Sequence, residues 1–379
     1  MASSLPSLSS PFSLLAITTV LAILSPSLSS LAAAIPQNPR PFKKIYAFGD
    51  SYTDTGNTHS ETAPIGFSHV SSPPYGRTFF HRPTNRYSDG RILLDFAAQS
   101  LSLPFLPPFL DSQADTSAGV NFAVAGATAI RHGFFVKNKL MLGWFNKTLK
   151  AQGCEGETST EQCRKAIADA LFWVGEIGAN DYGCAIGSSV QASTIQRAAI
   201  KSVTGFLRAL LTKGAKYVVV QGLFSTGCLP LSLQIYSQES DRDDLGCVAS
   251  ENRRSYAFNA DLQSTLQDLR TEFPDAVIIY ADSWNAHRHI IKNAKRYGFK
   301  DTFSACCGTK GEPYNFYLFS GCGSPTSTTC PDPEQYVIWD GPHLTEAMNR
   351  VLAELFLNGT FSSPPFEYML SRKSKAGTS

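Results

Sequence analysis

The sequence predicts an α/β fold built on an open, doubly wound parallel sheet. Five continuous apolar runs are rich in Val, Ile, Ala and Phe, as is typical of strands covered by helices on both faces. These runs are Ile45–Phe48, Val120–Val124, Leu171–Ile177, Tyr217–Leu223 and Val277–Tyr280. Amphipathic stretches, such as 194–213 and 255–272, separate the runs. Strands and helices that alternate in this way pack as helix layers on both sides of one sheet.

Composition indicates a globular protein with a modestly charged surface. The 379 residues are 43% hydrophobic and 17% charged, and the net charge is +2. No run of Lys or Arg is longer than two residues, so nothing indicates a nucleic acid or an anionic membrane as a partner. The chain shows no internal repeat or low-complexity linker, and we expect residues 35–379 to form a single, monomeric domain. Residues 56–118 and 300–335, rich in Pro, Ser and Gly, are expected to be irregular loops around the substrate entrance.

The N-terminal segment is typical of a secretory signal peptide. Residues 1–34 carry no charged side chain and include an apolar stretch from Leu14 to Leu24, and they end in Ala32-Ala33-Ala34. We expect cleavage after Ala34 and a secreted, extracellular protein. A membrane anchor is the alternative, but an apolar run of eleven residues is too short to cross a bilayer. No later segment is apolar over eighteen residues, so we expect no integral membrane segment in the mature chain.

Two N-glycosylation sequons fit the same route. They are Asn146-Lys147-Thr148 and Asn358-Gly359-Thr360. Because such sequons are used only in chains that enter the secretory pathway, we expect glycans on Asn146 and Asn358 if the signal peptide acts.

The cysteines suggest structural disulfides. All nine lie after the predicted signal peptide, and an odd number leaves at least one without an intrachain partner. Cys154 and Cys163 flank one polar loop and Cys228 and Cys247 another, while four cysteines between 306 and 330 suit two local bridges. Cys184, the most isolated in sequence, is expected to be unpaired. Zinc is the weaker alternative, because no paired C-x-x-C spacing is present and the His287-Arg288-His289 segment lies far from the cysteines.

A candidate nucleophile follows the first apolar run. Ser51 ends a Gly-Asp-Ser turn, and a tight turn after a buried strand is a way to present a serine hydroxyl. Such a hydroxyl needs a base. Asp340 stands three residues before His343, one helical turn away, which is close enough to accept a hydrogen bond from the imidazole. These three residues would supply nucleophile, general base and orienting carboxylate.

Further segments give a family resemblance. Two more apolar runs end in small residues and an amide, in the segments 119–127 (GVNFAVAGA) and 177–182 (IGANDY). In order with the segments at Ser51 and His343, they resemble the four blocks of the GDSL esterase/lipase family, also called SGNH hydrolases. Segments 74–80 (PYGRTFF), 85–91 (NRYSDGR) and 227–230 (GCLP) are similar to accessory motifs of its plant branch. The resemblance runs from about Lys44 to Asn358. Leu344 stands where the family often has Pro, and we expect this difference to affect the shape of the substrate rather than the chemistry.

This resemblance implies a flavodoxin-like three-layer α/β/α sandwich with a five-stranded parallel sheet in the order 2-1-3-4-5. It implies catalysis by Ser51, Asp340 and His343 through an acyl-enzyme, with no cofactor and no metal. The backbone N–H groups of Ser51 and Gly126 and the side-chain amide of Asn180 would form the oxyanion hole, since fixed donors stabilise the charge of a tetrahedral intermediate. The plant branch implies the apoplast or cell wall as location. The substrate would be a small-molecule or cell-wall ester.

Three functions remain open at this point. The first is a secreted carboxylic-ester hydrolase, and the second is an acyltransferase that passes the same acyl group to an alcohol. The third is a non-catalytic binding protein, which would have lost some of the expected site residues, and none is lost. An aromatic group in the 65–80 loop is a candidate acyl-binding rim (Phe67, Tyr75, Phe79 and Phe80). The histidines other than His343 are expected at the surface or in loops.

Overall fold

The computed structural model describes residues 40–64, 66–130, 138–152, 154, 161–309 and 313–377, so the predicted signal peptide lies outside the described residues. The strands, in chain order, are β1 Lys44–Phe48, β2 Gly119–Asn121, β3 Ala170–Val174, β4 Tyr217–Gln221, β5 Val277–Ala281, β6 Asp301–Ala305, β7 Cys307–Thr309, β8 Ser327–Thr329, β9 Tyr336–Ile338 and β10 Ser362–Ser363. The helices are α1 Leu93–Ser100, α2 Asn138–Ala151, α3 Glu161–Ile167, α4 Ala179–Gly183, α5 Ala192–Thr212, α6 Pro230–Ile235, α7 Ala249–Glu272, α8 Ser283–Lys292, α9 Glu346–Leu357 and α10 Phe366–Gly377.

The central sheet has the order β10-β5-β4-β3-β1-β2. Strands β1 to β5 are parallel, and Ile45 of β1 pairs with Gly119 of β2 and Leu171 of β3. The predicted five parallel strands in the order 2-1-3-4-5 are thus confirmed. The sequence did not indicate the sixth strand, β10, whose two residues pair antiparallel to the edge strand β5.

Alternate residues of each strand face different helix layers, as the pleat of a strand requires. In β1, Ile45 and Ala47 belong to one apolar cluster, with residues of α1, α8, α9 and α10. Tyr46 and Phe48 belong to the other, with residues of α2, α3, α5 and α7. Burying each Val, Leu, Ile or Phe of these clusters contributes roughly 1.5 to 3 kcal/mol before entropy is counted. The three-layer α/β/α arrangement follows from this alternation.

Three predicted strands are shorter in the structure than in the prediction. The chain that follows each of them is irregular and lies where a ligand would bind. Strands β2, β3 and β4 end at Asn121, Val174 and Gln221, two or three residues before the ends of their apolar runs. The remaining apolar residues continue as irregular chain at the carboxyl edge of the sheet. That edge is where open parallel sheets bind their ligands.

The expectation that residues 300–335 are irregular is wrong where they form β6, β7 and β8. The expectation that residues 56–118 are irregular is also wrong in part. The eight-residue helix α1 lies within them, and the Asp95 carboxylate accepts from the backbone N–H of Ile92 at its start. Arg86 forms a bidentate ion pair with the same carboxylate, with nitrogen–oxygen distances of 2.8 and 2.9 Å. This pair and the packing of α1 on α9 stabilise a helix inside a Pro- and Ser-rich segment.

The predicted disulfides form in part. Cys228 is bonded to Cys247, and the cluster between 306 and 330 forms the two bridges Cys306–Cys330 and Cys307–Cys322. The expected bridge from Cys154 is not formed. Its buried side chain is a free thiol that forms a hydrogen bond with Cys163. Burial is the larger cause, and this hydrogen bond the second, of a pKa of Cys154 that is raised to about 11.

Two expectations concern the surface. Cys184 is exposed and not disulfide-bonded, as the sequence predicts, and the sequon residues Asn146 and Asn358 are both exposed. Among the helices of the described residues, none is long and apolar enough to cross a membrane.

Candidate active site

Ser51 lies in the turn that follows β1 at the carboxyl edge of the sheet. The Asp50 carboxylate accepts from the backbone N–H of Tyr52 (3.0 Å), and the Asp50 carbonyl accepts from Thr53 and Asp54. Ser51 lines a cavity of about 170 Å³ together with Gly126, Asn180 and His343. Three distant segments of the sequence therefore meet at the serine.

Asp54 and Asn57 hold the nucleophile turn against the segment that follows β2. Asp54 accepts from four backbone N–H groups, three in its own turn and that of Ala125 (3.0 Å). The Asn57 side-chain amide donates to the carbonyls of Asn121 and Ala123, each at 2.9 Å. Both side chains thus satisfy backbone groups, which agrees with the structural role that loop Asp and Asn residues usually have.

His343 and Asp340 form a buried hydrogen-bonded pair. His343 Nδ1 lies 2.7 and 2.9 Å from the two carboxylate oxygens of Asp340, which also accepts the backbone N–H of His343 (3.0 Å). Because a carboxylate only accepts, Nδ1 carries the proton and Nε2 is left as an acceptor. Within the described residues, no hydrogen bond joins His343 to the Ser51 hydroxyl, although both line the same cavity. Such bonds are often long before substrate binds.

Tyr75 supports this pair, and sequence reasoning missed it. Its hydroxyl donates to Asp340 Oδ2 at 2.7 Å, and the residue is 1% exposed. The expected acyl-binding rim is therefore mostly wrong. Phe79 and Phe80 pack on each other and on Phe105, and Phe67 alone of the four predicted aromatics lines the cavity.

Aromatic rings fix the plane of the His343 imidazole. The ring centroids of Tyr87, Tyr52 and Phe67 lie 4.6, 5.5 and 5.5 Å from that of His343. The Tyr52 hydroxyl also donates to the carbonyl of Pro342 (2.7 Å), which joins the nucleophile turn to the histidine loop. These contacts leave the imidazole few other orientations.

Two residues that line the cavity have a backbone N–H group with no acceptor among the described residues. Within the described residues, neither the N–H of Ser51 nor that of Gly126 donates to a protein atom. Gly126 has φ of +73°, and a Cβ there would lie 2.9 Å from Pro64 Cγ, so a larger residue would be strained and crowded. Free, fixed N–H donors beside a serine suit an anion that forms next to that serine.

Asn180 also lines the cavity. Its Nδ2 donates to Asp50 Oδ2 (2.8 Å) and to the carbonyl of Ala127 (3.1 Å). Both of its N–H bonds are therefore in use, and donation to a third acceptor requires release of one of them. The bond to Ala127 is the longer and has an uncharged acceptor, so it is the weaker of the two.

Asp181 fixes the loop that carries Gly126. Its two carboxylate oxygens accept the backbone N–H groups of Ala129 (2.7 Å) and Ile130 (2.8 Å). Neighbouring residues of one short helix, α4, thus contact both the nucleophile turn and the Gly126 loop. The sequence offered one signal for this role, which is that Asp181 stands directly beside Asn180.

A second buried acid, Glu176, lies against Asp50 at the end of β3. Asp50 and Glu176 each stand two residues after a pair of neighbouring strand residues, Phe48 of β1 and Val174 of β3, and their side chains interact. Glu176 Oε1 accepts the N–H of Ala179 (3.1 Å). Burial, and then the charge of Asp50, raise the pKa of Glu176 well above its usual value. Burial also raises the pKa of Asp50, while the bonds from Glu176 and Tyr52 lower it. Sequence reasoning did not single out either carboxyl.

The rest of the cavity wall is mainly aliphatic, with one charged edge. The aliphatic side chains are Ile186, Leu223, Leu229, Leu231 and Ile235. At the edge, Arg254 donates to the Glu251 carboxylate at 2.8 Å. Leu344 is buried in the apolar cluster under α9 and does not line the cavity, so its departure from the family pattern does not shape this pocket.

A second serine–histidine pair exists, but it is closed to substrate. Ser225 Oγ lies 2.8 Å from His287 Nδ1, and both residues have no exposed surface. The expectation that His287 lies at the surface or in a loop is therefore wrong. Burial lowers the pKa of His287 to about 3, so the imidazole is neutral.

Comparisons with known proteins show the family of this chain. The family described as GDSL-like lipase/acylhydrolase matches residues 45–356. A GDSL esterase/lipase of Arabidopsis thaliana is 52% identical over 93% of this chain and 95% of its own length. Acetylajmalan esterase 2 of Rauvolfia serpentina is 39% identical over 84% of this chain and 90% of its own. Among solved structures, phospholipase A1 of Streptomyces albidoflavus aligns with 88% of this chain and 99% of its own, at 13% identity and a TM-score of 0.32. With a family match that spans most of its length, this chain belongs to the GDSL esterase/lipase family of carboxylic-ester hydrolases.

Proposed function

We propose that this protein is a secreted esterase that works through an acyl-enzyme on Ser51. The observation that carries the proposal is that Ser51, His343 and two backbone N–H groups, which have no acceptor in the part of the chain that the structure describes, line one cavity. Each group has the chemistry that acyl transfer needs: a hydroxyl, a base held by a carboxylate, and donors for an oxyanion.

The proposed reaction has two halves. Ser51 Oγ attacks the ester carbonyl carbon while His343 Nε2 takes its proton, and the carbonyl oxygen becomes an oxyanion facing the N–H groups of Ser51 and Gly126. Asn180 joins them by exchanging its bond to Ala127 for one to the oxyanion. The intermediate collapses, the C–O bond to the alcohol breaks, and His343 returns the proton to the alcohol. Water then attacks the acyl-enzyme by the same steps.

The cavity supports a small acyl group. Its volume of about 170 Å³ is close to the roughly 150 Å³ that is known to hold one benzene molecule. A long fatty-acyl chain would have to extend outside it. The relative from Rauvolfia serpentina is named for an acetylated compound, which agrees with a short acyl group. We therefore propose acetyl to aromatic-acyl esters of small molecules or cell-wall polymers as the substrate class.

Secretion and a single mature domain are part of the proposal. The uncharged, apolar segment 1–34 supports export with cleavage after Ala34, and the three disulfides support an oxidising compartment. The exposure of Asn146 and Asn358 supports N-glycosylation at both. The location would be the apoplast or cell wall.

The test is a panel of aryl esters of increasing acyl length, each measured with and without added alcohols. We expect the highest kcat/KM with short acyl groups, and free acid as the main product. Ser51→Ala should lower turnover by about 10⁴- to 10⁶-fold while the protein still folds. The matched control is Ser225→Ala, which removes the other serine hydroxyl that faces a histidine and should leave turnover in place.

Each contrary result has a definite meaning. Equal turnover in Ser51→Ala would exclude Ser51 as nucleophile. Transfer of most acyl groups to the alcohol would identify an acyltransferase, and absence of turnover on every ester of the panel would favour a binding protein.

A further inference from the structure

Asp50 and Glu176 each stand two residues after the paired strand residues Phe48 and Val174, so the two acids lie beside each other at the carboxyl edge of the sheet. Asp50 precedes Ser51 in sequence, and its carboxylate is the acceptor that holds Asn180 (2.8 Å). Glu176 has no exposed surface and Asp50 is 1% exposed. A group that changes the charge or position of Asp50 therefore acts on Asn180 without touching substrate.

The contact between the two carboxyl groups requires a proton. Ionised carboxylates have acceptors only, so they form no hydrogen bond with each other unless one of them is protonated. Glu176 Oε2 is buried, and no N–H or O–H of the described residues donates to it. Two buried like charges in contact are also strongly unfavourable, which is why such pairs keep one proton and one charge.

The surrounding ionisable groups also favour one proton and one negative charge on the pair of Asp50 and Glu176. The charge that acts on Asp50 from its own turn is that of Asp54, and the charge that acts on Glu176 from α4 is that of Asp181. Tyr52, next to both acids, is a neutral phenol whose pKa burial raises well above its usual value. Each of these acids makes a second charge on the pair still more costly.

We propose that Glu176 is a positioning residue that stays protonated and donates to Asp50, so that the pair holds Asn180 with one negative charge. The proton belongs to Glu176 because Asp50 has better charge partners: the Asn180 amide and the backbone N–H of Tyr52 both donate to it. The single charge orients the amide of Asn180. A second charge would repel the oxyanion that forms on the other side of this amide, and would lower transition-state stabilisation. This proposal rests on the proposed esterase for its kinetic consequence only.

The first test does not need activity. Infrared difference spectroscopy of wild type against Glu176→Gln should show one protonated carboxylic acid C=O band at neutral pH that the variant lacks. The same band should be present in the inactive Ser51→Ala background, and Glu272→Gln, a surface substitution, should leave it in place. If wild type lacks the band, the proposal fails, whatever the enzyme hydrolyses. If the band is present but no ester is turned over, the acid pair stands and the esterase proposal fails.

The second test separates positioning from packing. Glu176→Gln keeps a neutral donor of the same size, so kcat at neutral pH should stay near the wild-type value. Glu176→Ala removes the donor, and we expect kcat to fall by roughly 10²-fold with little change in KM, the cost of a misplaced catalytic group. As pH rises through the raised pKa of the pair, wild type should lose activity while Glu176→Gln does not. Equal loss of kcat in both variants, or wild-type kcat in Glu176→Ala, would overturn the proposal.

Discussion

The Tyr75 hydroxyl donates to Asp340 Oδ2 at 2.7 Å, although the two residues are 265 positions apart in sequence. Asp340 also receives the N–H of His343 Nδ1, so one buried carboxylate has donors from two distant segments. The tyrosine loop therefore holds the carboxylate on which the orientation of the histidine depends. This contact joins a segment before α1 to the histidine motif that precedes α9.

Tyr75→Phe should lower kcat, because it removes one hydrogen bond to Asp340 and leaves Ser51 and His343 in place. A hydrogen bond to a charged group contributes about 1.5–3 kcal/mol, and we expect kcat to fall by roughly 10-fold as part of that energy is lost from the transition state. The measurement is kcat and KM on a short aryl ester, with the exposed Tyr256→Phe as control. Unchanged kcat would mean that the Asp340–His343 pair keeps its geometry without Tyr75.

Asn180→Ala should act on the rate more than on binding. Loss of one oxyanion donor typically lowers kcat by about 10²- to 10³-fold. We expect KM to change little, because Asn180 reaches its full interaction only when charge forms on the substrate. Asn285→Ala, on the exposed face of α8, is the control. A higher KM with kcat unchanged would identify Asn180 as a substrate contact instead.

His287 should make the fold sensitive to acid. Its pKa is about 3 in the folded protein, below the unfolded value of about 6.5, so its contribution is present above pH 6.5 and is lost as pH falls toward 3. Between pH 7 and pH 5 the loss amounts to about 2 kcal/mol of the free energy of unfolding. Denaturant unfolding at both pH values should show a smaller difference in His287→Gln than in wild type. The exposed His81→Gln should behave as wild type, and an equal pH difference in all three proteins would show that His287 is not the group responsible.

Export can be checked on the protein from a plant secretory host. Mass spectrometry should show an N-terminus near Ile35, glycans on Asn146 and Asn358, and three disulfides that leave Cys184 reactive. Bridges such as Cys307–Cys322, which close short loops, should each stabilise the fold by about 2–4 kcal/mol. An intact Met1 with all cysteines reduced would place the protein in the cytosol.

Features that depend on a short stretch of sequence could be predicted, and contacts between residues far apart in sequence could not. The strands of the sheet could be predicted because their apolar runs are continuous, and Ser51 and His343 because each lies in a short motif. Helix α1 was missed because the ion pair with Arg86 and the packing on α9, which help to stabilise it, are set by the tertiary fold. The contact of Tyr75 with Asp340 and that of Glu176 with Asp50 were missed for a similar reason, because both contacts are set by the tertiary fold.

The bond between Tyr52 and Pro342 spans 290 positions of sequence, nearly the full length of the family match. A ribosome therefore finishes the serine turn long before it makes the histidine loop. On the proposed mechanism, the serine has no base until that late segment packs against the tyrosine side chains, so we expect the growing chain not to hydrolyse esters. Ester turnover in a crude preparation should therefore measure only full-length, folded molecules. A fragment that lacks the segment around Ser51 or the segment around His343 should have no activity.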